Sequence, residues 1–115
     1  MKIKEKKFHR KKNIRKALFK IMLHHLIMNE RIKTTTQRAK YLKPRIEKLI
    51  SKGKNQNLAT LRYLLKHLPK KSAYKVFYDL SPRYKDRTGG YVRILKLPFK
   101  RIKDNADLAL VEFIK

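Results

Sequence analysis

Three sets of side chains in this sequence are of types that do chemistry: a histidine pair, a few carboxylates and a large excess of cations. His24 and His25 are adjacent. Neighbouring residues on a helix point about 100° apart, so two of them do not chelate one ion from a helical segment. The nearest carboxylate at a useful spacing is Glu30, and the chain has no cysteine. That excludes thiolate zinc sites, disulfides and cysteine nucleophiles together. The imidazoles read as helix-surface or RNA-facing groups, and no metal or other cofactor is expected. Asp79, Asp86, Asp104 and Asp107 are the only cluster of acids. A paired-carboxylate hydrolase must hold two such groups on one substrate. Aspartates in turns, beside this many cations, more often cap the chain or hold salt partners. Ser51, Ser72 and Ser81 lack the glycine-flanked setting of an activated serine. Three glycines, Gly53, Gly89 and Gly90, make neither a phosphate loop nor a dinucleotide fingerprint. Nothing here points to an enzyme.

The cations are the informative set. Lysine and arginine total 33 against 8 acids, a formal net charge of +25 on 115 residues. Self-repulsion on so small a body opposes compactness, and a polyanion removes it. Cations neutralise phosphates and release counterions, so binding of this kind is steeply salt-dependent. Up to Tyr78 the chain has 24 basic and 3 acidic residues; beyond it the numbers are 9 and 5. The candidate contact groups are a basic arm with Lys2, Lys4, Lys6, Lys7, His9, Arg10 and Lys11, a helical stripe with Lys12, Arg15, Lys16 and Lys20, and a loop with Arg83, Tyr84, Lys85 and Arg87. Tyr84 and Tyr91 flank Arg87, and aromatics interleaved with cations suit stacking on unpaired bases. Tyr91 reads equally well as a sheet-packing residue. Gly89 and Gly90 make either a simple turn or a bare backbone on which a phosphate settles.

These groups need elements to hold them. Hydrophobic residues make up 42% of the chain, enough for one modest core and too many for a disordered tail. Residues 1–11 have little to bury and read as an extended arm; residues 12–115 read as a single globular domain. A first helix is predicted over 12–29, with Ile14, Leu18, Ile21 and Met22 at helical spacing and Phe19, Leu23, Leu26 and Ile27 widening the apolar side. Residues 31–34 alternate as a short strand. Thr35 or Thr36 caps a second helix carrying Ala39, Leu42, Ile46, Leu49 and Ile50, with a kink or restart at Pro44 and an end at Gly53. A third helix covers 58–68, with Leu58, Leu61, Leu64, Leu65 and Leu68 inward. A fourth begins at Ser72, buries Ala73, Val76, Phe77 and Leu80, and closes at Pro82. Residues 91–97 alternate as a strand, 98–107 form a charged connection, and 108–114 form a strongly apolar last strand. The expected fold is α+β, about four helices packed on a small three-stranded mixed sheet. No run of residues is apolar and long enough for a membrane span, and no secretory signal opens the chain.

Glu30-Arg31-Ile32-Lys33-Thr34-Thr35, then Arg38-Ala39-Lys40 and Ile46-Glu47-Lys48-Leu49-Ile50, resembles bacterial-type large-subunit ribosomal protein seventeen. So does Asp86-Arg87-Thr88-Gly89-Gly90-Tyr91-Val92-Arg93-Ile94-Leu95-Lys96, followed by Arg101, Asp104-Asn105-Ala106 and Ala109-Leu110-Val111-Glu112. The match runs from about Ile14 to the C-terminus; the arm departs in being shorter, lysine-rich and free of glycine. The resemblance implies a structural, non-catalytic protein on the solvent side of the large subunit near the peptide exit. It implies one copy per ribosome, no homo-oligomer, and large-subunit ribosomal RNA and neighbouring ribosomal proteins as partners, in a bacterial cytoplasm or an organelle with bacterial-type ribosomes. Lys33, Arg93, Lys100 and Arg101 join the candidate RNA-contacting set beside Gly89, Gly90 and Tyr91. Two rival classes fit the charge: a DNA-compacting or regulatory protein, whose helix pair would lie about Pro69, and an RNA-modifying enzyme.

Overall fold

A computed structural model describes residues 12–114. The arm residues Lys2, Lys4, Lys6, Lys7, His9, Arg10 and Lys11 lie outside them. The order is α1 (Lys12–Asn29), β1 (Arg31–Thr35), α2 (Thr36–Gly53), α3 (Leu58–His67), then α4, which starts as Lys70–Lys75, passes through a π-helical turn at Val76–Leu80 and ends as Ser81–Arg83. The strands β2 (Val92–Lys100) and β3 (Asp107–Phe113) follow. This is the expected α+β arrangement. No helix among the described residues is long and apolar enough to cross a membrane.

The sheet order is β1-β3-β2 and both pairings are antiparallel, so the sheet is not mixed. The last strand takes the middle because it is apolar on both faces. Ala109, Val111 and Phe113 are buried toward the helices, while Leu110 is half-buried on the outer face between Lys33 and Leu95. The strand β2 runs further than the alternation suggests, through Pro98 to Lys100. The pairing breaks register between Lys96 and Lys100. An edge strand tolerates proline there, since its missing N–H costs no ladder bond on the solvent side.

Local chemistry explains most helix boundaries. The hydroxyl of Thr35 accepts from the Arg38 N–H and caps α2. Asn57 does the same for α3, its side-chain oxygen accepting from the Thr60 N–H at 2.8 Å. Pro44 does not break α2. A proline takes one donor out of the ladder and crowds the carbonyl four residues back. Here the Arg45 guanidinium supplies a donor one residue along, to the Tyr41 carbonyl at 2.9 Å. The helix α4 starts behind Pro69, and Ser72 is no cap: its hydroxyl donates to the Pro69 carbonyl at 3.0 Å. The π turn precedes Pro82, where the widened ladder relieves the clash that an α-helical Pro82 would make with the Tyr78 carbonyl.

The core differs from the periodicity in two places. In α1 the buried residues are Phe19, Leu23, Leu26 and Ile27, whereas Ile14 and Ile21 are each 54% exposed. The helix meets β1, α2 and α4, and Ile14 and Ile21, seven residues apart, share a face turned away from these contacts. In α3 only Leu64 of the leucines is fully buried; Leu68 follows the helix into the core, Leu61 is half-buried, and Leu58 and Leu65 face solvent. In α2, by contrast, Ala39, Leu42, Ile46, Leu49 and Ile50 are all buried.

Gly53 ends α2 because of packing rather than backbone freedom. A Cβ there would lie 2.2 Å from Ser81 Oγ and 3.3 Å from Val76 Cγ1. The Ser81 hydroxyl at this contact donates to the buried Ile50 carbonyl at 3.0 Å. Gly53→Ala should therefore push α4 off α2 and lower stability by about 1–3 kcal/mol, the range for overpacking, read from the midpoint of urea unfolding.

Candidate nucleic-acid interface

The cationic stripe of α1 forms one wall of a groove. Lys12, Arg15, Lys16 and Lys20 line it from α1, Arg45 and Lys48 from α2, and Lys66 and His67 from α3. Phe19, Leu23 and Leu49 form its floor, with Tyr41 and Tyr63 at the sides. Among the described residues, none that lines it is acidic. The same helix phase that buries Leu42, Ile46, Leu49 and Ile50 turns Arg45 and Lys48 toward α1, while Glu47 points the other way and accepts from the Tyr91 N–H at 2.8 Å. The Arg45 guanidinium lies 3.3 Å from the centre of the Tyr41 ring, which stacks on Phe19 at 4.1 Å. Sequence reading found the α1 wall and missed the other two. Arg45, Lys48, Lys66 and His67 are separated along the chain, and only the packing of α2 and α3 on α1 brings them opposite the stripe.

The second predicted segment has another role. Tyr84 is 5% exposed and Tyr91 1% exposed, so neither ring is open to a base. This corrects the reading of Tyr84 as a stacking platform, and of the two readings of Tyr91 it favours the packing one. The rings lie 5.3 Å apart, Tyr84 stacks on Phe113, and the Tyr84 hydroxyl donates to the Ile114 carbonyl. The Tyr91 hydroxyl donates to the Arg87 carbonyl at 3.2 Å, the carbonyl that Lys54 also holds. Arg87 turns its Nε onto the Gly89 and Gly90 carbonyls, both at 3.2 Å. The two tyrosines thus anchor the loop from below. Gly90 has φ +66°, a conformation that favours glycine, and both glycines face open space.

The remaining candidates do not line this groove. Arg93 pairs with Glu112, Lys100 with Asp107 and Arg101 with Asp104. Lys33 sits over the Phe99 ring at 5.9 Å, and Lys85 is exposed. His24 and His25 lie on α1 with ring centres 5.8 Å apart.

Arg83 belongs to a brace rather than a free surface. It bridges Glu30 and Asp79, and Lys75 holds Glu30 as well at 3.3 Å. Glu30 has φ +63° between α1 and β1, and its carbonyl accepts from the Phe113 N–H at 3.0 Å. A left-handed glutamate is strained, so the ion pairs hold a conformation the residue would not choose alone. The hydrogen bond from Arg83 is the main cause that keeps the Glu30 carboxyl below its ordinary 4.5. The hydrogen bond from Arg101 likewise pushes Asp104 down to about 2. A depressed folded value means that the stabilisation is complete above the unfolded value and is lost as pH falls through the folded one. Stability should therefore decline below about pH 4.5, continuing toward about pH 2. Glu30→Gln should flatten the upper part of that decline, as thermal melts across this range would reveal.

Comparison with known proteins gives consistent matches. The family model described as Ribosomal protein L17 matches residues 18–114. A large ribosomal subunit protein bL17 from Persephonella marina is 42% identical over 115 residues, covering 98% of this chain and 93% of that relative. The bL17 of Pelagibacter ubique is 47% identical, covering 95% and 75%. That of Ruegeria pomeroyi is 50% identical, covering 87% and 71%.

Proposed function

The chain belongs to the ribosomal protein L17 family, and from that premise we propose that it is a structural constituent of the large subunit of a bacterial ribosome, bound to the large-subunit RNA and to neighbouring ribosomal proteins. It acts in translation as an assembly and stability clamp, with no chemical step of its own. One copy serves each ribosome, on the solvent side near the peptide exit. The globular part from residue 12 onward presents its cations to the RNA, and the arm of residues 1–11 folds into a groove of the ribosomal RNA, gaining order on binding. Phosphate contacts set the position, while RNA shape and unpaired bases set the choice of site.

The observation that carries this reading is the groove between α1, α2 and α3. Seven lysine and arginine residues (Lys12, Arg15, Lys16, Lys20, Arg45, Lys48 and Lys66) converge there with no acid among the described lining residues. Like charges gathered this closely repel one another, which a fold tolerates when a polyanion lies between them. Lys33, Lys85, Arg87, Arg93, Lys100, Arg101 and the Gly89-Gly90 turn make further contacts outside the groove.

Sedimentation of a cell lysate tests the reading, with this chain followed across the gradient. The expected result is stoichiometric migration with the large ribosomal subunit, resistant to moderate salt and lost after ribonuclease. Migration with chromosomal DNA, or at the top of the gradient, would overturn it.

A further inference from the structure

The groove holds more than charge. Tyr63 and His67 stand four residues apart on α3, and their rings lie 4.5 Å apart with planes inclined at 51°. Tyr63 is half-buried against the core, with Lys52 above its ring at 5.4 Å, while His67 is exposed at the rim. Lys20, Lys48 and Lys66 surround this pair from three helices, all lining the same groove. A purely electrostatic track needs no aromatic pair at its rim. Rings flanked by cations are what a single-stranded nucleic acid requires: a flat apolar face for the base and positive charge for the phosphates on either side.

We propose that Tyr63 and His67 form a base-stacking subsite in the groove, which takes one unpaired nucleotide of RNA while Lys20, Lys48 and Lys66 hold the adjoining phosphates. This rests on the RNA-binding reading above and deepens it. The groove then prefers unpaired RNA to duplex, because a paired base keeps its faces stacked within the helix. The charge around His67 agrees with an anion in this place. Burial first, and then Lys66, Lys48 and Lys20, make the imidazole harder to protonate than usual. The groups that face it are those lysines and Tyr63; Arg45 lines the groove beyond them. Phosphates laid on the lysines would reverse their effect, so bound RNA would favour the imidazolium and take up a proton.

The test uses the full chain with an unstructured uridine-rich RNA of about 12 nucleotides and a duplex of the same length, each titrated over a range of salt. The parent protein should bind the single strand more tightly. Tyr63→Leu, which keeps an apolar side chain in place, should weaken single-strand binding about tenfold, leaving duplex binding and the salt slope unchanged. Tyr63→Phe should restore it. Lys48→Gln with Lys66→Gln should instead lower the salt slope for both RNAs. His67→Gln should remove the proton uptake measured near neutral pH. Equal single-strand binding by the parent and Tyr63→Leu would overturn the subsite and leave the RNA-binding reading standing. So would equal losses on both RNAs in a folded variant. Failure of the parent to bind either RNA would overturn both.

Discussion

Replacing Lys16, Lys20, Lys48 and Lys66 together by glutamine should weaken binding to large-subunit ribosomal RNA by roughly a hundredfold or more near 0.1 M salt, and should lower the salt slope by about 2–3. The size follows from counterion release: each phosphate neutralised contributes about 0.7 to the slope on single-stranded RNA. The four side chains come from three helices and line one groove, so their removal empties one surface rather than thinning the charge everywhere. The same variant should fold at least as well as the parent, because removing crowded like charges relieves repulsion. Loss of RNA binding with an unchanged or raised melting temperature separates a binding surface from a structural one. Filter binding across a salt series and a thermal melt measure the two quantities. Lys70, Lys71, Lys96 and Lys103, also changed to glutamine, provide the control for total charge.

Tyr91→Ala should destabilise the protein by about 3–5 kcal/mol, the range for truncating a buried aromatic ring. The side chain is 1% exposed, packs on Tyr84, lies under Lys54 at 4.5 Å, and holds the Arg87 carbonyl through its hydroxyl. Its loss removes core volume and frees the loop that ends in Gly89-Gly90. Tyr91→Phe keeps the ring and should cost only about 1 kcal/mol, the usual net value of a hydrogen bond. Small domains are stable by about 5–15 kcal/mol in total. With a net charge of +25 this one should stand toward the lower end at low ionic strength. Tyr91→Ala should then be largely unfolded in dilute buffer and recover as salt screens the repulsion. Urea unfolding at several salt concentrations checks this. A variant as stable as the parent would mean that Tyr91 is not the anchor of the loop.

The value of Tyr91 was only partly legible in the sequence. An aromatic next to two glycines and an arginine has the same local signature whether it stacks on a base or anchors a loop. What decides is the position of Ser51, Lys54 and Tyr84 around it, of which the first two come from a distant part of the chain. The register of α1 was illegible for a related reason. Its apolar residues cover more than half the helix circumference, so periodicity alone offers several seams, and contact with β1, α2 and α4 selects the one through Phe19, Leu23, Leu26 and Ile27. The second helix was easier because its apolar residues fill one narrow stripe, and all five expected positions are buried.

By itself the sequence determined the α+β class, the span of α1, the capped start of α2, the apolar last strand and a charge that calls for a polyanion. These follow from local rules: spacing along one element, a cap within three residues, and a sum of charges that no folding alters. Only the tertiary structure decided that Lys48, Lys66 and His67 face the α1 stripe, that Gly53 is needed for Ser81 to approach, and that Tyr84 and Tyr91 support a loop from within. Each of these depends on which faces of two elements meet, and that is settled by packing across the whole core.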